Sequence, residues 1–328
     1  MKTILITAIG SFSAEVVIRK AKELGWRVVG TDIYPRSWVA NGLLVDHFKQ
    51  VALARAGDTY QRDIFECCEK WNIDYVVTST DDEVDLLAPV RMQLQQRTGA
   101  KLLLSPTPAL NRLRNKAELA HFLMTQEICT TIPGNLLSQL TTQQIQQLSF
   151  PVILKPINGR SSQGMHRIKS LSDFINIKES ISPERAKEYL VQPYLEGAVI
   201  TVDVFNDIKN ANCTALCRRE LLRTSNGAGL TVEIFRHPKL EKICQKIATA
   251  TGVIGTACFE FIESGENYYF LECNPRFSGG VEFSEMAGFP CVRNHLELFG
   301  ELPITPANLP TANLTIARRQ QAFITENE

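Results

Sequence analysis

The sequence predicts an α/β region built on a parallel sheet, followed by a strand-rich α+β region. Three observations predict this. Over the first hundred residues, continuous apolar runs alternate with helically spaced segments. The run Ser105-Pro106-Thr107-Pro108 then breaks the chain. Beyond it, short strands outnumber helices. Strand–helix alternation implies parallel strands covered on both faces. At 328 residues the chain is too long for one core and divides into subdomains.

The elements follow in order. Residues 3–8 form an apolar strand. Residues 14–24 carry helical spacing through Val17, Ala21 and Leu24, and Gly25 stops them. A second strand over 27–31 ends at Asp32. Asp58 caps a helix through Trp71, and a strand follows over 75–78. A helix over 83–97 is interrupted near Pro89, and 101–104 is the next strand. In the second region, helices are expected over 116–126, 141–148, 172–180 and 238–251. Strands are expected over 151–156, 166–169, 189–192, 200–205, 211–218, 257–262 and 268–272. The last twenty residues carry weak signals, consistent with one strand and a frayed tail.

Composition narrows the function. Formal net charge is zero, which argues against nucleic-acid or membrane-surface binding driven by bulk charge. The nine cysteines include no CxxC pair and sit mostly in apolar surroundings, as reduced core thiols of a cytoplasmic protein do. No signal peptide and no apolar run of membrane-spanning length is found. The five histidines are scattered and make no metal or triad pattern.

The chemistry concentrates in Glu272-Cys273-Asn274-Pro275-Arg276 and, upstream, Glu260. Hard oxygen donors of this kind suit Mg2+, with Mn2+ as the alternative. An arginine beside such a metal suits a phosphate or acyl-phosphate oxygen. Glu260 and Glu272 lie on two candidate strands joined by Ser264-Gly265-Glu266-Asn267, so a hairpin would put them on one face. Unpaired carboxylates there repel, and a bound cation accounts for them better than a structural role does. Lys155 ends a buried strand, and the loop 158–164 after it is rich in Gly and Ser. Its N–H and O–H donors suit phosphates, although a plain hairpin has the same composition. Gln192, Pro193, Tyr194 and Leu195 leave a strand where backbone groups can read an adenine edge; a simple linker is the other reading. Arg218-Arg219-Glu220 is either a solvated charge cluster or the source of an anion-binding arginine beside the loop 224–229. Asp81, Asp82 and Glu83 follow a strand at the carboxyl edge of the first sheet. They either bind a substrate ammonium group or complement a helix dipole. The first strand's turn, Ile9-Gly10-Ser11-Phe12-Ser13, with Asp32 beyond it, has dinucleotide-fold spacing but lacks G-x-G-x-x-G, which disfavours NAD.

Taken in order, these pieces resemble the ATP-grasp superfamily, and most closely its carboxylate–amine ligases. The ATP-binding part is similar to that of the carbamoyl-phosphate synthase large chain and of the pyrrolysine-pathway ligase. The resemblance implies an N-terminal parallel-sheet, Rossmann-like (pre-ATP-grasp) domain over 1–105. A two-subdomain ATP-grasp fold would follow, with the small subdomain and phosphate lid over 106–190, the metal-bearing subdomain over 191–305 and an extension over 306–328. It implies Lys116 and Lys155 on the phosphates, with a lid that includes Gly159, Ser161, Ser162 and Gly164. It implies Gln192, Pro193, Tyr194 and Leu195 at adenine, Glu260, Glu272 and Asn274 on two Mg2+ ions, and Arg276 with Arg219 as catalytic arginines. Asp81, Asp82 and Glu83 would face a substrate. Val199 stands where the family often has a ribose-binding acid. The implied reaction joins a small-molecule carboxylate to an amine through an acyl phosphate, at the expense of ATP. A nucleotide-binding protein without catalysis is the alternative, and a homodimer is the expected assembly.

Overall fold

A computed structural model describes residues 1–158, 164–224 and 227–326. Its first sheet contains β1 (Thr3–Ile6), β2 (Arg27–Asp32), β3 (His47–Gln50), β4 (Tyr75–Val77) and β5 (Lys101–Leu102), in the parallel order β3-β2-β1-β4-β5. The chain moves outward from β1 to β3 and then returns to the other side of β1. The turns after β1 and β4 therefore diverge and open a crevice at the carboxyl edge, where open α/β sheets take ligands. The helix expected over 83–97 is two helices, Asp81–Leu87 and Arg91–Thr98, broken around Pro89.

A small antiparallel sheet follows, with β6 (Asn135–Leu136), β7 (Val152–Pro156), β8 (His166–Ile168) and β9 (Tyr189–Pro193) in the order β6-β9-β7-β8. The third sheet is larger and also antiparallel. It consists of β10 (Ala198–Asp207), β11 (Asn212–Arg223), β12 (Gly229–Phe235), β13 (Gly255–Ser264), β14 (Asn267–Asn274) and β15 (Leu314–Ala317), in the order β14-β13-β10-β11-β12-β15. The sequence signals miss β3, β6 and β12, and they end β11 too early. The C-terminal strand β15 pairs with β12, so the extension is part of this sheet.

One apolar core joins the first sheet to the third. Ile4, Val17 and Trp26 from the first region pack in the same cluster as Phe205, Leu216, Phe283 and Phe289. The helices Val281–Met286 and Cys291–Phe299 supply much of the contact. This shared burial holds the crevice of the first sheet against the hairpin of the third, in proportion to the apolar area removed from water. No helix among the described residues is long and apolar enough to cross a membrane.

Candidate active site

The β13–β14 hairpin forms as the spacing predicts, and its register sets Glu260 directly opposite Glu272. Both carboxylates face a cavity of about 1060 Å³ between the three sheets. Burial, together with the facing Glu272 carboxylate, pushes the Glu260 carboxyl up to about 7. Two acids held this close resist simultaneous ionisation, and a cation relieves both. Among the described residues no cluster of three or more His, Cys, Asp or Glu is placed to hold a metal. The donor set is this pair with the Asn274 amide, a hard-oxygen set that suits Mg2+.

Cations surround the pair. Lys116 begins the helix Lys116–Thr125, where the Asn115 carboxamide caps by accepting from the Ala117 and Glu118 N–H groups. The Lys116 N–H also donates to the Ile157 carbonyl beyond β7, which fixes the helix start beside that strand. Its side chain is only 8% exposed, and Nζ stands 3.1 Å from Glu272 Oε2. Lys155 enters from β7. Burial lowers its ammonium to about 8, Glu272 opposes the shift and Lys116 adds to it. Arg223, at the end of β11, lies 3.7 Å from Glu260 Oε2.

Arg276 donates to Asp81 Oδ2 at 2.5 Å and to the Phe277 carbonyl at 2.9 Å. Asp81 also faces Arg114 Nη1 at 3.2 Å. Burial alone would raise the Asp81 carboxyl, but Arg276 and Arg114 hold it below the usual carboxylate range. This residue of the first sheet's crevice thus aims an arginine of the third sheet. Arg114 has no counterpart in the motif reading; it also grips Asp85 with two bonds, of 2.8 and 2.9 Å.

At the other end of the cavity, Gln192 donates Nε2 to the Ile132 carbonyl at 2.7 Å, and Pro193, Tyr194 and Leu195 continue the wall. Ile153, Ile262 and Leu271 give that end an apolar lining suited to a flat base. Gly164 takes a left-handed φ of 69°, while Gly159, Ser161 and Ser162 lie outside the described residues.

Two expected residues are placed differently. Arg219 does not reach the cavity. It points to the opposite face of β11 from Arg218, pairs with Glu263 at 2.8 and 2.9 Å and with Glu233, and lies over the Phe235 ring. Adjacent strand residues face opposite sides, and Arg218 takes the inner one. Glu83 borders the cavity, but its oxygens are spent. Oε1 accepts from the Tyr60 hydroxyl, and Oε2 accepts from the Thr7 hydroxyl and the Ser79 and Thr80 N–H groups. It closes a capping box on the helix Asp81–Leu87 and is not available to a substrate. Asp82 remains on the cavity wall.

The arrangement matches known proteins in fold. The chain superposes on biotin carboxylase from Campylobacter jejuni, solved as a β-γ-ATP complex, with a TM-score of 0.77 and 21% identity over 93% of this chain and 72% of that one. It superposes on N5-carboxyaminoimidazole synthetase from Staphylococcus aureus, solved with ADP, with a TM-score of 0.71 and 16% identity over 93% and 78%. The fold is that of these two enzymes. A family model described as ATP-grasp in the biosynthetic pathway with Ter operon matches residues 185–321, which contain the hairpin. In sequence, the chain is 26% identical over 168 residues to the carbamoyl phosphate synthase large chain of Clostridium acetobutylicum, covering 48% of this chain and 16% of that protein. It is 27% identical over 184 residues to the same enzyme from Agathobacter rectalis, and that match covers 17% of the relative. The chain thus spans a small part of the length of these relatives.

The carboxylate pair has a measurable signature. A carboxyl raised in the fold stabilises it most below the ordinary carboxylate value, and the contribution is lost as pH rises through about 7. The unfolding midpoint of the metal-free protein is expected to fall over that window. Mg2+ should flatten the fall, because the cation takes the place of the proton. Glu260→Gln should remove the window. A wild-type profile that is equally flat with and without Mg2+ would reject the coupling.

Proposed function

We propose that the protein is an ATP-dependent ligase that joins a small-molecule carboxylate to an amine. The observation that carries this reading is the Glu260–Glu272 pair set among Lys116, Lys155 and Arg276 in one cavity with an apolar end for a base. Phosphoryl transfer asks a protein for alignment and charge neutralisation, and this site is built of both. Glu260, Glu272 and Asn274 would hold Mg2+, which supplies positive charge to the phosphate oxygens when bound.

A substrate carboxylate oxygen attacks the γ-phosphorus, the bond from that phosphorus to the β-phosphate oxygen breaks, and ADP leaves. Lys155 and Lys116 hold the phosphates, and the charge of a phosphate favours the protonated Lys155 ammonium. Arg276, fixed by Asp81, steadies the oxygens of the transferring group and of the resulting acyl phosphate. An amine nitrogen then attacks the acyl carbon, loses a proton, and expels phosphate to leave an amide. No protein nucleophile is needed.

Hydroxylamine provides the test, because it captures acyl phosphates as hydroxamates in place of the natural amine. The purified chain with ATP, Mg2+ and a panel of carboxylates should form ADP and hydroxamate in equal amounts for at least one acid. Nucleotide binding with no ADP from any acid would favour the non-catalytic alternative.

A further inference from the structure

The N-terminal wall of the cavity is acidic, whereas the facing wall sets four cations around the Glu260–Glu272 pair. Residues 1–105 are all described, and those facing the cavity include Asp32, Asp81, Asp82 and Glu83 but no Lys, Arg or His. Lys116, Lys155, Arg223 and Arg276 all stand on the facing wall. Of the N-terminal acids, Asp81 is committed to Arg276 and Arg114, and Glu83 to its capping box. Asp32 is held at the cavity edge by two backbone donors, Gly10 N–H at 2.8 Å and Tyr34 N–H at 3.1 Å. Asp82 lines the same wall and faces the Arg55 guanidinium at 3.6 Å.

Aromatic rings line the same wall as these acids. Tyr34 and Trp38 follow β2, line the cavity, and are 52% and 74% exposed. Their ring centroids lie 6.1 Å apart at 30°. Phe12, after β1, lines the cavity as well and is backed by the Arg318 guanidinium at 4.6 Å. Aromatic faces are electrostatically negative. Rings and carboxylates together attract a cation that carries an apolar body, and they repel an anion.

We propose that this wall binds the amine substrate, and that the substrate is a protonated amine on an aromatic or similarly flat apolar body. Its ring lies on Trp38 and Tyr34, and its ammonium group points to Asp32 and Asp82. The carboxylate substrate is left to the cationic wall. Only the role of the amine as acceptor rests on the ligase reading; its binding does not.

Phenethylamine, n-butylamine and 3-phenylpropionate separate the contributions, titrated calorimetrically into the full chain without nucleotide. Phenethylamine is expected to bind at least tenfold more tightly than either of the others. Trp38→Ala should weaken it at least tenfold, Trp38→Phe should keep it within threefold, and Asp82→Asn should weaken it while leaving 3-phenylpropionate unchanged or tighter. Binding of an ATP analogue to Trp38→Ala should match wild type, which certifies its fold. No binding of phenethylamine, equal binding of 3-phenylpropionate, or indifference to Trp38→Ala would each overturn the proposal. Hydroxamate formation without phenethylamine binding would reject this wall assignment alone. Phenethylamine binding in a protein that releases no ADP would reject the ligase reading alone.

Discussion

Glu272→Ala is expected to lower ADP release by about a thousandfold, near the upper end of what removal of one electrostatic stabiliser costs. The side chain does two things at once. It is half of the carboxylate pair, and it accepts the Lys116 ammonium at 3.1 Å. Without it, the Lys116–Glu272 ion pair is lost and the donor set shrinks to Glu260 and the Asn274 amide. Glu263→Gln is the matched control, since Glu263 pairs with Arg219 outside the cavity. It should keep activity within about threefold, as a surface ion pair contributes little. ADP release by Glu272→Ala within tenfold of wild type would show that the pair does not serve phosphoryl transfer.

Arg218→Leu is expected to cost about 3–5 kcal/mol of stability, the range for breaking one side of a buried ion network. The Arg218 side chain is 1% exposed and meets Asp203 Oδ2 at 2.6 Å and Glu220 Oε1 at 2.9 Å. Nη2 also donates to Ser278 at 3.0 Å, two residues from Arg276. The substitution strands two buried carboxylates, whereas Arg219→Leu on the opposite face breaks partly exposed pairs and should cost about 1 kcal/mol or less. Urea unfolding of the two variants makes the comparison. Equal losses would contradict the assignment of inner and outer faces.

This pair of arginines shows where sequence reading stops. Neighbouring strand residues always point apart, but which one points inward depends on pairing partners far along the chain. Arg218 and Arg219 could therefore not be told apart before the register of β10, β11 and β12 was known. The β13–β14 hairpin was legible because both strands and their turn are contiguous. In the first sheet the edge strand β3, His47–Gln50, is polar and partly exposed and was missed, whereas the other four of the five strands were legible because buried parallel strands are continuous apolar runs. The helices Val281–Met286 and Cys291–Phe299 were not, because the Gly and Pro residues around them read as punctuation. Asp81 and Arg276 are 195 residues apart, and nothing local announces their contact. Tyr34 and Trp38 left a usable trace: two aromatic residues in a Pro-containing turn at the carboxyl edge of a parallel strand.

The β13–β14 ladder contains one irregularity with a practical use. Glu260 pairs with Glu272, but the next residue, Phe261, pairs with Phe270, so Leu271 is an extra residue in a bulge. Leu271 and Glu272 therefore both border the cavity although they are consecutive, while Phe270 remains in the core. Deletion of Leu271 would leave a regular ladder in which Glu260 still meets Glu272 and Phe261 still meets Phe270. Such a one-residue deletion is expected to weaken nucleotide binding through the lost apolar surface and to preserve the Mg2+ response of the unfolding midpoint. On the proposed ligase reading, the bulge makes the apolar end of the cavity and the carboxylate pair separable at a single codon.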